Sequence, residues 1–511
     1  MRYGFAIDQR TCIGCHACTV ACKTEHEVPV GQFRTWVKYV DKGTFPNSTR
    51  EFGVLRCNHC TDAPCVTICP TGALFTRDDG IVDFDSDRCI GCKSCMQGCP
   101  YDALYIDEDT HTAAKCNFCA HRIDQDLEPA CVVVCPTHSI WVGDLEDPGS
   151  GISRLVSGNA VTVRAPEQGT GPNVFYLGAD RAVLDPLVAP VDRSYVFSSP
   201  DPQRLDVAAD LAVDPVTRSH TTLNTAHPRP WGWRVTAYLW AKGVGGGAVL
   251  VAALAVLLGV DLGVLVTLVA PALGVAGTAA TGVLLVRDLK RPERFYYLLT
   301  KSNVRSWLVK GAYALAAFAA VSGIWLLLGI GVETGVIGSA RTAFTVLAVI
   351  GVPTGAMVAG YTAFLFGQAE GRDLWQSPLL FWHLIVQAVM VGAGALGVAA
   401  LAAGTAADGL RLIAACLTVA TVLHVLMLLG EYGGRHATRH ATVAAHMVLR
   451  GRYARQFWGS VAVAGAAAVL AAVGWATSVL ALLALAGLAV QVALLIYESV
   501  FVRAGQDVPL S

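Results

Sequence analysis

Charge is scarce in this sequence, and what there is nearly cancels. Asp, Glu, Lys and Arg make up 15% of its 511 residues and the formal net charge is −1, which gives no reason to expect nucleic acid as a partner. No P-loop occurs and no dinucleotide glycine fingerprint follows a strand, so the common nucleotide-binding classes are excluded. A twin-arginine signal is missing. The opening stretch MRYGFAIDQRTCIGC reaches a cysteine motif too early to hold a charged n-region and an apolar h-region, so the first part is expected to stay in the reducing cytoplasm. Cysteine is almost absent from the second part: of 17, all but Cys416 precede residue 136.

Apolar residues, by contrast, are in excess. They make up 54% of the sequence, and a mean hydropathy of +0.49 is rare for a soluble domain, so part of the protein is expected in lipid. The excess is uneven. Ordinary charge prevails up to about residue 230, and from Trp231 onward long apolar runs follow one another. Two unlike modules in one polypeptide are implied.

The cysteines fall into four groups: Cys12, Cys15, Cys18 and Cys22; Cys57, Cys60, Cys65 and Cys69; Cys89, Cys92, Cys95 and Cys99; Cys116, Cys119, Cys131 and Cys135. The last three groups each end x3-Cys-Pro. The first and third carry the bacterial ferredoxin spacing, in which three close thiolates hold three irons of one [4Fe–4S] cube and the fourth reaches a neighbouring cube. A short loop wraps three corners; the remaining corner must be met from elsewhere, and the proline turns the chain away after the crossing. Zinc would use isolated Cys-x2-Cys pairs closing one tetrahedron, and disulfides do not suit the expected compartment. Sixteen thiolates at four per cube give four cubes, with Cys416 left as a packed small hydrophobe. His16, His59 and His138, beside cysteines, read as hydrogen-bonded or solvated. The stretches RDDGIVDFDSDRC and YIDEDTH read as turns between short strands, which gives an α+β, ferredoxin-like domain over residues 1–180.

These spacings, together with CNHCTDAPCVTICPTGAL and PEQGTGPNVFYLG, resemble the four-cluster iron–sulfur subunits of molybdopterin oxidoreductases, of the polysulfide, dimethyl sulfoxide, nitrate and formate dehydrogenase types. The resemblance implies a pairing. One cube takes Cys12, Cys15, Cys18 and Cys135; the next takes Cys22, Cys116, Cys119 and Cys131. A third takes Cys57, Cys60, Cys65 and Cys99, and the last takes Cys69, Cys89, Cys92 and Cys95.

Residues 181–232, with repeated Pro, Asp and Ser and no sustained periodicity, read as an extended linker. After it come eight stretches long enough to cross a bilayer core, which takes about 20 apolar residues: 234–260, 262–286, 306–330, 342–368, 378–404, 409–430, 457–475 and 477–502. All should be helical, because lipid offers backbone groups no other partner, giving an all-α membrane bundle over 233–505. Trp231, Trp233, Trp307, Trp375, Trp382 and Trp458 fall near span ends, where amphipathic rings belong. The loops RDLKRPERFYYLLTKSNVR and EYGGRHATRHATVAAHMVLRGRYARQF are rich in Arg and Lys, whereas the loops of opposite parity hold only Arg341 and Arg411 as basic residues. The positive-inside bias then places the iron–sulfur module and the C-terminus in the cytoplasm of a multi-pass plasma-membrane protein.

The stretches RDLKRPERFYYLLTKSNVRSWLVKG and YTAFLFGQAEGRDLWQSPLLFWH make the membrane half similar to the NrfD/polysulfide reductase membrane-subunit family, with Ala363 where that family's glycine usually sits. Members of that family bind no haem and exchange electrons with a quinone pool. In keeping with this, His383 and His424 lie in different sequence contexts and do not suggest an axial pair. A quinone, menaquinone in the expectation, needs an apolar slot and polar groups at its carbonyls. The residues placed there are Tyr238, Asp288, Tyr361 and His383, with Lys242, Lys310, Gln368 and Glu431 at similar depth; His424, Gln387, Gln491 and Glu498 lie deeper, where interhelical hydrogen bonding is the expected role. The resemblance implies a quinone-linked oxidoreductase subunit that serves a separate cytoplasmic catalytic subunit, a molybdopterin or tungsten enzyme. A redox-driven proton translocator and a passive membrane anchor for the iron–sulfur domain are the alternatives.

Overall fold

Two repeats of the tetrapeptide CIGC set the local backbone of the first part. Gly14 and Gly91 take φ of 68° and 66°, and the residues just after each repeat, His16 and Lys93, also sit in the left-handed region at 61° and 66°. Each loop therefore curls tightly before a short helix starts, Ala17–Glu25 in one case and Ser94–Gly98 in the other. The computed structural model describes residues 1–190, 219–225 and 227–511. Its first part is an α+β, ferredoxin-like domain of short helices, two small hairpins (Leu74–Thr76 with Val82–Phe84, and Leu104–Ile106 with Ala113–Lys115) and two larger sheets. In one larger sheet Tyr3–Asp8 runs parallel to Val174–Leu177 and antiparallel to Ile140–Asp144. This closes the two ends of the domain over buried Phe5, Ile7, Val174 and Tyr176.

The stretch expected to be a linker differs from that expectation where it is described. Arg181–Leu184 is a helical turn with Ala182 and Val183 buried. His220–Leu223 pairs antiparallel with Thr35–Thr44, itself one arm of a long hairpin with Asn47–Arg56. The alternation in HTTL suits an edge strand, and Thr221 Oγ1 donates to the Ala189 carbonyl at 2.7 Å. Pro-rich composition hid these short elements. Residues 191–218 and 226 lie outside the described residues.

Eight helices among the described residues are long and apolar enough to cross a membrane: Trp233–Leu258, Leu265–Asp288, Trp307–Glu333, Arg341–Gly367, Leu380–Ala403, Ala407–Gly433, Ala454–Thr477 and Leu480–Asp507. We number them spans 1 to 8. Spans 1 and 2, nearly continuous in the sequence, are parted by Gly259 and Gly263, both with positive φ (72° and 54°), the usual left-handed ending of a helix. Span 1 is the most enclosed, and glycine makes that possible. A Cβ at Gly247 would overlap the Ala388 carbonyl of span 5, and one at Gly392 of span 5 would overlap the backbone of Ala248. Without a hydrophobic driving force in lipid, such backbone-to-backbone contact supplies the packing.

Gly247→Ala is therefore expected to cost about 1–3 kcal/mol of stability through overpacking. Gly430→Ala, where a Cβ meets nothing within 4 Å, should be neutral. Thermal unfolding of the two variants in mild detergent makes the comparison.

Candidate redox site at the membrane junction

The sixteen cysteines of the four groups carry no disulfide, and several of the thiols lie near others of their expected set. Burial, and then the fields of Cys116, Cys131 and Cys119, raises the Cys22 thiol. The same happens to Cys65, with Cys57, Cys99 and Cys60 acting after burial, and to Cys95, with Cys92, Cys89 and Cys69. Burial, opposed by the Gly14 N–H, raises Cys12, which also feels Cys135 and Cys15. Links between the expected sets order them in a row. Cys18 feels Cys131, Cys116 feels Cys57, and Cys95 feels Cys65. At one end of the row Cys15 is exposed; toward the other end the thiols are mostly enclosed.

The donor set fits an iron–sulfur cube. Among the described residues no three His, Cys, Asp or Glu side chains close on a single ion. Instead Cys69, Cys89, Cys92 and Cys95 line one cavity, walled by Ala73, Leu74, Phe84 and Ile90. Metal-free, such thiols hold their protons at neutral pH, since burial foremost pushes Cys60, Cys92 and Cys99 up to about 12; loading displaces those protons. Donors already point at the sulfurs. Gly91 N and Ala113 N lie 3.4 Å from Cys89 Sγ, Ser139 N lies 3.2 Å from Cys135 Sγ, and His26 Nε2 lies 3.2 Å from Cys119 Sγ. Nothing in the spacing of His26 sets it apart in the sequence. His16 instead bonds Tyr39 at 3.1 Å, and buried His59 accepts from Val82 N at 3.2 Å.

The loop after span 2 grips the loops of the last set. Lys290 N and Arg291 N donate to the carbonyls of Gly91 and Ile90, both at 3.2 Å. Arg294 Nη1 reaches the Ser86 and Cys89 carbonyls at 2.7 and 3.0 Å, and Asn303 Nδ2 reaches the Cys69 carbonyl at 2.9 Å. The basic loop that argues for orientation is thus also a clamp. Two of the tryptophans near span ends turn inward: Trp231 and Trp375 are buried in this junction, stacked with centroids 5.4 Å apart. Trp375 Nε1 donates to the Phe501 carbonyl at 3.2 Å.

Directly beneath lies an apolar cavity between spans 1, 2, 3 and 4. Val235, Leu285, Leu308, Leu315 and Leu365 wall it, and Tyr238, Tyr361 and Asp288 supply its polar groups. Cys92 borders both this cavity and the four-thiol one. Gly311 makes room for the Tyr361 ring, which a Cβ there would strike. Behind the ring Lys242 stands 4.8 Å from its centroid and donates to the Ala359 carbonyl at 2.5 Å. Asp288 also borders a wide cleft with Lys93, Arg234 and Arg287, and its carboxylate pairs with Lys93 at 2.6 Å.

Three of the four residues placed at the quinone slot therefore meet; His383 does not join them. It lies among spans 5, 6 and 8, with Nε2 2.9 Å from His424 Nδ1 and Nδ1 3.4 Å from Glu431. The Tyr497 ring packs on both imidazoles. The histidines, not expected as an axial pair, are direct neighbours, because their separation in sequence spans one helical hairpin. Of the other candidates, Gln368 accepts from Trp307 N at 2.8 Å and so ties the ends of spans 3 and 4, while Lys310 covers the Trp307 ring. Gln491 bonds Trp240 Nε1 at 2.8 Å, an interhelical role.

Comparison with known proteins matches two families. Residues 221–507 match the family of polysulphide reductase, NrfD, and residues 49–145 match the 4Fe-4S dicluster domain. A tetrathionate reductase subunit of Salmonella typhimurium is 46% identical over 191 residues, 37% of this chain and 76% of that protein. A polysulfide reductase chain of Wolinella succinogenes is 39% identical over 188 residues, 36% of this chain and 98% of that protein. The arsenate respiratory reductase iron-sulfur subunit ArrB of Shewanella sp. is 35% identical over 225 residues, covering 35% of this chain and 96% of that protein.

Cys92→Ala is expected to remove one cube, about four of about sixteen irons, whereas Cys416→Ser leaves the iron unchanged. Colorimetric iron assay of anaerobically purified protein distinguishes the two.

Proposed function

This protein belongs to the NrfD family, fused to an iron–sulfur subunit of the reductase type, and from that membership we propose that it links a catalytic oxidoreductase subunit to the membrane quinone pool. The observation that carries the reading is the shared wall: Cys92 borders both the four-thiol cavity and the apolar cavity holding Tyr238, Tyr361 and Asp288. Four [4Fe–4S] cubes, held by the sixteen cysteines in the sets given above, supply one-electron transfer when bound.

The protein's own groups do the rest. The leucine walls take the ring and tail of a quinone, menaquinone in this reading, and exclude water. Tyr238 and Tyr361 hold its carbonyls. Reduction of a quinone takes two electrons and two protons, and Asp288, placed between the cavity and the wide basic cleft, is positioned to pass those protons to or from water. At the opposite end of the row exposed Cys15 lies beside exposed Ile13; this edge is the docking face for the catalytic partner, in this reading a molybdopterin or tungsten enzyme. The basic loops 289–306 and 434–453 lie on the iron–sulfur side of the bundle, where Arg294 and Arg439 reach Cys89 and Asp185. The positive-inside rule then puts that side in the cytoplasm.

Tyr361→Phe combined with Asp288→Asn should lower quinol-analogue oxidation or quinone reduction by about 10²-fold at unchanged iron content. Unchanged turnover would make the bundle an anchor. One observation favours a second reading, redox-driven proton translocation. His383, His424 and Glu431 form a polar chain inside the bundle, and buried Glu498 has Oε2 without a hydrogen-bond partner among the described residues. In proteoliposomes with a pH-sensitive dye, that reading predicts a pH change during turnover that His424→Gln abolishes while electron transfer persists. No pH change with the unaltered protein rejects it.

A further inference from the structure

Arg56 ends the long hairpin arm Asn47–Arg56 and is fully buried, 0% exposed. Its guanidinium lies 4.4 Å from the centroid of the Phe5 ring. Nη1 donates to Cys131 Sγ at 3.2 Å, and Nε and Nη2 have no hydrogen-bond partner among the described residues. No carboxylate comes within ion-pair distance of it among those residues. A guanidinium enclosed this way is costly unless an anion faces it, and an aromatic face answers only part of that cost. The facing groups are sulfurs: Cys131 by direct contact, with Cys116 and Cys18 as the other thiols within its electrostatic reach. Cys116 and Cys131 belong to one expected set and Cys18 to the neighbouring one, so the cation stands between two adjacent sites of the row.

Four thiolates around a [4Fe–4S] core carry net negative charge, and reduction adds one more. A fixed positive charge at a sulfur stabilises the reduced state more than the oxidised state, and in a low-dielectric interior it does so strongly. We propose that Arg56 is the buried counter-ion that holds up the reduction potential of the cube bound by Cys22, Cys116, Cys119 and Cys131, and to a lesser degree that of the cube bound by Cys12, Cys15, Cys18 and Cys135. The role belongs to charge. Phe5 lies against the guanidinium, and Cys131 accepts its Nη1 hydrogen bond. The proposal rests on the reading that these thiols hold cubes.

The test is a potentiometric titration followed by electron paramagnetic resonance on the full-length protein, purified anaerobically, as wild type, Arg56→Gln and Arg56→Lys. With iron at the wild-type level, Arg56→Gln should lower the reduced-to-oxidised ratio of one cube at fixed poise about tenfold, a shift of about 59 mV for one electron, and leave the two cubes nearest the membrane unmoved. Arg56→Lys, which keeps the charge, should change that ratio less than about threefold. Loss of iron in Arg56→Gln with retention in Arg56→Lys also supports the charge requirement. Unchanged titration of Arg56→Gln, an equal shift in Arg56→Lys, or loss of iron in both variants overturns the proposal. Wild-type protein with far less than about sixteen irons would defeat the cube reading itself, whatever the variants do.

Discussion

The structure depends on holding one cysteine loop hard against the end of a helix bundle. Electron exchange across a junction needs a fixed approach, and two modules joined only by a linker would move relative to each other. Here the loop from Cys89 to Cys95 is pinned by backbone and side-chain bonds from Lys290, Arg291 and Arg294, by Trp231 Nε1 to the Cys92 carbonyl at 3.5 Å, and, just beyond it, by Gln97 to Gln506 at 2.6 Å. Buried charge reinforces the seam: Arg372 bonds Gln97 at 2.9 Å and pairs with Asp102 at 3.4 Å. Pairs of this kind contribute little net stability but lose much if one partner is removed, which makes them suited to fixing a relative position.

Position also explains the polarity of the row of thiols. The set with an exposed member faces outward, and the set that borders the apolar cavity faces the membrane. In the proposed function that order is what gives the protein two distinct ends, one for a protein partner and one for a lipid-soluble carrier. Glycine serves the same end inside the bundle. Gly247 and Gly392 let spans 1 and 5 touch through their backbones, and Gly311 opens the space that the Tyr361 ring occupies.

The eight spans were legible because they follow from a strong local rule, the thickness of a bilayer, and the iron–sulfur character of the first part because cysteine spacing is another. The meeting of Tyr238, Asp288 and Tyr361 was legible only through family motifs, as they sit on spans 1, 2 and 4 and nothing local joins them. His383 shows the limit of that reasoning. Its depth resembles that of the other three, but its face on span 5 turns it to His424 and Glu431. Arg56 and His26 were not legible at all, since a single residue that touches a sulfur from a distant segment leaves no periodic trace. The edge strand His220–Leu223 was hidden for a different reason: its partner is the hairpin arm far upstream, and its own composition reads as loop.

The central claim is that electrons meet the quinone beside the set Cys69, Cys89, Cys92 and Cys95. Rapid-freeze electron paramagnetic resonance tests it most directly, with oxidised protein mixed with a short-tailed menaquinol and the order of cluster reduction followed in time. The account predicts that the signal lost in a Cys92 variant is the first to appear in the intact protein. Reduction that begins at the exposed Cys15 end, or proceeds at the same rate without the Cys92 site, would contradict it.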